Sequence, residues 1–243
     1  RKNKAALCYD KIAKAYILAG QYLNAITNLE EGLTVYNEIQ DTVEKIKVLI
    51  SIWEIYNFKI SDRTRAVNYY NDAIKLATGS GKKDNTASLY NRLGDIYSNE
   101  GDYEKAAEYL NKSQHLYEEI GDKKGLIAVY FDIGGLYEDT GNYQKTLEYS
   151  LKILEIRIEL GDTTDMALAY NNAGWGYQLM GNYRSALDYQ LKSLKLHEAI
   201  GDDVGVAYPL GNLGIIYNKL GDYDKAIEYS SKALILFEKS KDD

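Results

Sequence analysis

Between Asp122 and Gly141 the apolar residues Ile127, Tyr130, Ile133 and Tyr137 fall three and four apart, the spacing of one stripe along an α-helix. From Asn142 to Gly161 the same spacing continues through Leu147, Leu151, Leu154 and Ile158. A glycine followed by Asp or Asn separates the two stretches, and this pair predicts both a stop and a start. The glycine can take the left-handed conformation that ends one helix. The Asp or Asn side chain accepts from a free backbone N–H of the next, and a negative charge there suits the helix dipole. Connections this short predict antiparallel helix pairs.

The pair recurs. Gly101-Asp102-Tyr103, Gly141-Asn142-Tyr143, Gly181-Asn182-Tyr183 and Gly221-Asp222-Tyr223 stand forty residues apart, as do Gly121-Asp122, Gly161-Asp162 and Gly201-Asp202. Inside the tile, Gly94, Gly134, Gly174 and Gly214 keep the same period, each followed three residues later by Tyr97, Tyr137, Tyr177 or Tyr217. A fixed period of this length predicts stacked copies of one two-helix unit, here named helix A and helix B, rather than one globular core. Gly94 precedes Ala106 by twelve residues, and Gly174 with Ala186 and Gly214 with Ala226 keep that offset. The expected reading is that these small residues face each other across the A–B contact. Close approach there would offset the propensity cost of a mid-helix glycine, roughly 1 kcal/mol.

Leu93-Gly94-Asp95-Ile96-Tyr97 followed by Gly101-Asp102-Tyr103-Glu104-Lys105-Ala106 resembles the tetratricopeptide repeat, an aromatic or Leu, then Leu-Gly, Tyr and Gly-x-Tyr-x-x-Ala. The resemblance covers essentially the whole chain as six repeats and implies an all-α, right-handed superhelical solenoid. The forty-residue length resembles the longer-helix variety of polarity adaptors and kinesin light chains, and Gly-Asp replaces the usual closing Pro. One solenoid domain over 1–243 is expected, with degenerate repeats over 1–81, regular repeats over 82–243 and a bend at 79–83, where Gly79-Ser80-Gly81-Lys82-Lys83 is the loosest junction. Repeat one has Ala13 at the glycine position and Gly20-Gln21-Tyr22 at its turn. Repeat two has Trp53 at that position, Ser61-Asp62-Arg63 in place of Gly-Asp-Tyr, and one extra residue between Tyr56 and Ala66. Its stretches Ile50–Tyr56 and Arg65–Tyr70 are similar to the helical repeats of soluble NSF attachment proteins. That similarity is confined to about the first third of the chain and is not expected in repeats three to six.

Composition narrows the function classes. The net charge is −7 and no Lys/Arg cluster dominates a helix face, which argues against nucleic acid as a partner. No apolar run reaches the eighteen or so residues of a membrane span, so no direct membrane insertion is expected. The single cysteine, Cys8, cannot form an internal disulfide and fits a reducing, cytoplasmic compartment. The chain starts without Met and without a signal-like segment, so it reads as excised from a longer protein or processed. No catalytic constellation or cofactor motif emerges. His115 and His197 lack metal-ligand spacing and read as ordinary surface or interface histidines, and Gly174-Trp175-Gly176 lies too far inside a helix for a phosphate loop. The tyrosines read as packing residues, with phosphorylation the second reading.

What varies between repeats lies on helix A. In the family these positions line a concave groove that holds an extended or helical peptide, so the resemblance implies a non-catalytic interaction scaffold. Carried over, the groove residues are Asn91, Arg92, Asp95, Phe131, Asp132, Asn171, Asn172, Trp175, Gln178, Tyr208 and Asn212. The other reading of these residues is a solvated face. Asn amides both donate and accept, which suits a peptide backbone. Phe131 and Trp175 offer apolar anchors, and Arg92 a contact for a carboxylate. The family's chaperone-tail clamp is not expected, because Asp10 occupies a position where it needs Lys. Asp132, Glu138 and Asp139 favour a partner with Lys or Arg near its middle. Leu234, Ile235, Leu236 and Phe237 predict an apolar end that continues into another helix or self-associates. Two alternatives from other classes are a sensor domain of a larger signalling protein (a kinase, a cyclase or a peptide-responsive regulator) and a membrane-fusion adaptor.

Overall fold

A computed structural model describes residues 2–239. Among them are twelve α-helices and no strand. They are α1 (Lys2–Leu18), α2 (Tyr22–Glu38), α3 (Thr42–Glu54), α4 (Arg63–Gly79), α5 (Lys83–Asn99) and α6 (Tyr103–Ile120), then α7 (Lys123–Asp139), α8 (Tyr143–Leu160), α9 (Thr163–Leu179), α10 (Tyr183–Ile200), α11 (Asp203–Leu220) and α12 (Tyr223–Lys239). Odd-numbered helices are the A helices and even-numbered the B helices, two per repeat. The chain divides into two compact units, Arg1–Arg92 and Leu93–Asp243, and the division falls inside α5. Each unit is an all-α stack of antiparallel helix pairs.

The turns follow from two residues each. Gly101, Gly121, Gly141, Gly161, Gly181, Gly201 and Gly221 all have positive φ, which only glycine adopts without strain. The cap residue that follows closes both helices at once. Asp102 donates its backbone N–H to the carbonyl of Tyr97 at 2.9 Å, while its side chain accepts from the Lys105 N–H at 3.3 Å. Asn142 repeats this with Tyr137 at 2.7 Å and Lys145 at 3.3 Å. Asn182 repeats it with Tyr177 at 2.9 Å and Ser185 at 3.2 Å.

In the second unit the mid-helix glycines meet the B helices; Ala226 does face Gly214, its carbonyl 3.3 Å from where a Cβ would stand, but the nearest side chains are others. A Cβ on Gly94 would stand 2.5 Å from Leu110 Cγ, one on Gly174 2.6 Å from Gln190 Nε2, and one on Gly214 2.2 Å from Ser230 Oγ. The facing residue is thus one helical turn beyond the alanine at offset twelve. Offset twelve also pairs the tyrosines. Tyr97 stacks on Tyr109 at 5.6 Å, Tyr137 on Tyr149 at 5.9 Å and Tyr217 on Tyr229 at 5.3 Å, while Tyr177 meets Tyr189 tilted at 5.0 Å. Lysine ammonium groups lie over these rings, Lys105 5.1 Å from Tyr97 and Lys112 5.0 Å from Tyr109. Of the predicted stripe on α8, Leu147 and Leu154 are buried but Ile158 is exposed, and Ile153 takes the inward position instead. Ile158 stands in the last turn of α8, past the buried part of the stripe.

In the first unit the extra residue of repeat two has a physical form. Helix α3 continues into a π-helical segment, Ile55–Ile60, whose wider turn absorbs one more residue than an α-turn. The cap bond records it: the Asp62 N–H reaches the Tyr56 carbonyl at 2.9 Å across six residues, where the regular turns span five. Ser61 takes the left-handed conformation, φ 60°, that glycine supplies elsewhere. Trp53, at the glycine position, is buried edge-on against Tyr70 at 4.9 Å, and Ala13 is fully buried at the equivalent place in α1.

Candidate functional site

The sequence-derived residues of the second unit come from α5, α7, α9 and α11, and part of them converge. Two adjoining hollows, of about 460 and 220 Å3, both reach Phe131, Ile153 and Asn172. Asp132 and Leu168 line the larger, and Glu138 and Trp175 the smaller. Phe131 is 62% exposed, although it sits mid-helix where the tile elsewhere has Asn or Gly. Glu138 ties the floor together: the Trp175 indole N–H donates to its two carboxylate oxygens at 3.1 and 3.3 Å, linking α9 to α7. Among the described residues the half-buried Asn172 amide has no protein partner. Its donors and acceptor therefore stand ready beside Phe131.

The other Asn residues do structural work. Asn212 Nδ2 donates to Asn171 Oδ1 at 2.9 Å, bridging α11 to α9, and Gln190 Nε2 donates to the Asn171 carbonyl at 3.0 Å. Asn212 is thus engaged by its neighbour and helps hold α11 against α9. Gln178 is half-buried with Oε1 shielded and unpaired. Tyr208 is exposed and meets Phe237 edge-on at 5.6 Å. Asp95 is exposed on α5.

Two sequence-derived residues belong to the first unit. Asn91 is half-buried. Arg92 was expected to anchor a carboxylate of the partner, but its Nη2 bonds Glu54 Oε1 at 2.7 Å and its guanidinium lies 4.9 Å from the Trp53 ring. An internal carboxylate and an indole face already occupy the group that the partner would need. His197 is an interface histidine: it is fully buried against α11, with Nδ1 2.9 Å from Asp202 Oδ2, because Gly205 leaves it room, a Cβ there standing 2.2 Å from Nδ1. His115 is exposed.

Sequence reasoning missed the contribution of α8. Arg157 pairs with Asp165 beside the larger hollow, and Ile153 lies under both hollows. Comparing A helices with one another cannot reveal a wall supplied by a B helix.

Tetratricopeptide repeat models match residues 125–199 and 207–240. The chain belongs to the tetratricopeptide repeat proteins. The soluble NSF attachment protein model matches residues 1–155, so the chain belongs to that family too, and the likeness runs through repeat four instead of ending with repeat two. A comparison with curated proteins gives no match. Among solved structures, BtubC (BKLC) from P. vanneervenii superposes with a TM-score of 0.76 at 18% identity, over 94% of this chain and 92% of that one. The apo form of RapI gives 0.70 at 18% identity, over 90% of this chain and 64% of RapI. A Signal Transduction ATPase with Numerous Domains carrying a tetratricopeptide repeat sensor, from Pyrococcus horikoshii, gives 0.66 at 24% identity. The repeat chain covers 97% of its own length but 34% of that protein. These likenesses establish the shared fold. No described helix is long and apolar enough to cross a membrane.

Proposed function

We propose that this repeat protein is a non-catalytic interaction module that holds a partner peptide against α7 and α9 of its second unit. The observation that carries the reading is the pair of hollows sharing Phe131 and Asn172, an exposed aromatic beside an unengaged amide. An extended peptide brings unpaired N–H and C=O groups, which the Asn172 amide can take, and an apolar side chain, which Phe131 and Leu168 can cover. Trp175 is held in place by Glu138 before any partner arrives, which lowers the ordering cost of binding. Both family matches support a protein partner, and the mechanism is mass-action docking on a preformed surface. The test is selection from a displayed peptide library on the immobilised full chain, followed by calorimetry. Phe131→Ser with Asn172→Ala should weaken the selected peptides by roughly tenfold to a hundredfold, with an unchanged thermal melt. Equal affinity in the double variant would move the site away from α7 and α9.

A second reading is a sensor domain within a larger signalling protein. The structural likeness to an ATPase bearing a tetratricopeptide repeat sensor, of which this chain spans about a third, favours it. The coding sequence on either side of the repeats tests it: a nucleotide-binding or other catalytic domain there supports the sensor reading, and its absence removes it.

A further inference from the structure

The first unit carries a hollow of its own, about 580 Å3, between α1, α3 and the π-helical segment. That volume lies within the ~300–1,000 Å3 range of small-molecule sites. Its apolar wall is Ile17 from α1 and Val48, Ile55 and Phe58 from α3 and its π-helical end. Phe58 is 61% exposed and is propped edge-on against Trp53 at 5.4 Å. The regular repeats have three residues between the tyrosine and the left-handed turn residue, and this repeat has four, Asn57 to Ile60. Without the extra residue there would be no π-turn to carry Phe58 and Lys59 to this wall. Such turns have poorer hydrogen-bond geometry than α-turns and occur disproportionately at functional sites.

The charges around the hollow select the ligand. Glu44 is engaged by Lys47 at 2.6 Å and Glu54 by Arg92 at 2.7 Å. Asp10 accepts from the Tyr36 hydroxyl at 2.6 Å through Oδ2, and its Oδ1 is turned toward Gly32, 3.5 Å from where a Cβ would stand. Lys14 and Lys59 also line the hollow, are exposed, and have no partner among the described residues. Glu44 and Glu54 are therefore answered by cations, Asp10 keeps Oδ1 buried without a hydrogen-bond partner, and two ammonium groups are unanswered. Set against Asp10, they leave a single positive charge, which suits a monoanion. We propose that this hollow is a binding site for a small anionic amphiphile, a free molecule with one carboxylate on an apolar body. The head group meets Lys14 and Lys59, and the body lies along Ile17, Val48, Ile55 and Phe58. The site is independent of the peptide surface in the second unit.

The experiment uses the full chain and 8-anilinonaphthalene-1-sulfonate, a fluorescent monoanionic amphiphile, with octanoate, octylammonium and octanol as competitors. The dye should bind saturably, octanoate should displace it, and octylammonium at equal concentration should not. Lys14→Gln with Lys59→Gln should weaken dye binding by roughly tenfold. Both lysines are exposed, so a melt matching wild type is expected. Phe58→Ser should reduce dye binding, while Phe131→Ser in the second unit should leave it unchanged. Equal affinity in the lysine double variant, displacement by octylammonium as strong as by octanoate, or loss of binding in Phe131→Ser would each overturn the assignment.

Discussion

Gly174 and Gly135 lie in the same kind of helix and differ in what surrounds them. A Cβ on Gly174 would meet the Gln190 side chain at 2.6, 3.0 and 3.1 Å, whereas one on Gly135 meets nothing within 4 Å. Gln190 is fully buried and donates to the Asn171 carbonyl, so it has little room to withdraw. Gly174→Leu should therefore destabilise the protein by roughly 1–3 kcal/mol through overpacking. Gly135→Ala should instead stabilise it, by up to about 1 kcal/mol, because helical glycine is entropically costly and the space is open. Denaturant midpoints for the two variants check this, and movement in the same direction would contradict the contact pattern. That each mid-helix glycine meets a B helix was legible from its recurrence at forty. Its partner was not: a residue at offset twelve and one at offset sixteen lie on the same helix face, one turn apart.

At the scale of elements, helix starts, helix ends and pairing were legible because two residues fix each turn. The π-helical segment was half legible, since the insertion after Tyr56 shows in the register while the way the backbone absorbs it does not. The helices of the first unit also make a prediction that no pattern contains. Burial pushes the Tyr36 hydroxyl far above the ordinary tyrosine range, assisted by its bond to Asp10, and burial with the Glu30 bond does the same for Tyr69. Tyr70 is raised by burial, its hydroxyl donating to the Leu89 carbonyl at 3.0 Å. The folded state therefore keeps these protons to higher pH than the unfolded chain, which releases them near pH ~10. Their contribution to stability is complete below that pH and is lost as pH rises through the folded-state values. Denaturation midpoints should be insensitive to these groups from pH 8 to 9.5 and fall above pH ~10. Tyr36→Phe with Tyr69→Phe should make that alkaline fall shallower. An unaltered slope in the double variant would show that other groups set it.

Across the whole molecule, the family was legible from the period, while the extent of the likeness to soluble NSF attachment proteins was not. The match reaches residue 155, through repeats whose landmarks are those of the regular tile, so the regular pattern masks it. The binding surface was legible in part for a related reason. Variation between repeats marks the A-helix positions, but it cannot separate Asn172, which stands open, from Asn171 and Asn212, which hold α9 and α11 together. Charge is a property of the assembled face. On α9 the only charged residue is Asp165, and neighbouring α7 adds Asp132, Glu138 and Asp139 against Lys123 and Lys124 at its first turn. Asp165 is taken by Arg157 and Glu138 by the Trp175 indole, while Asp139 is exposed and is the carboxylate left for a partner to meet. Peptides selected on the full chain should therefore carry Arg or Lys near their middle. Their affinity should fall as ionic strength rises, because exposed charges interact over a Debye length of about 10 Å at 0.1 M salt. Asp139→Asn should weaken an Arg-centred peptide by several-fold at low salt and flatten its salt dependence, with little effect on the same peptide carrying Gln in place of Arg. Calorimetry of both peptides at two salt concentrations makes the comparison. If the Gln peptide loses as much affinity as the Arg peptide, the Asp139 carboxylate supports the shape of the surface instead of reading the charge of the partner.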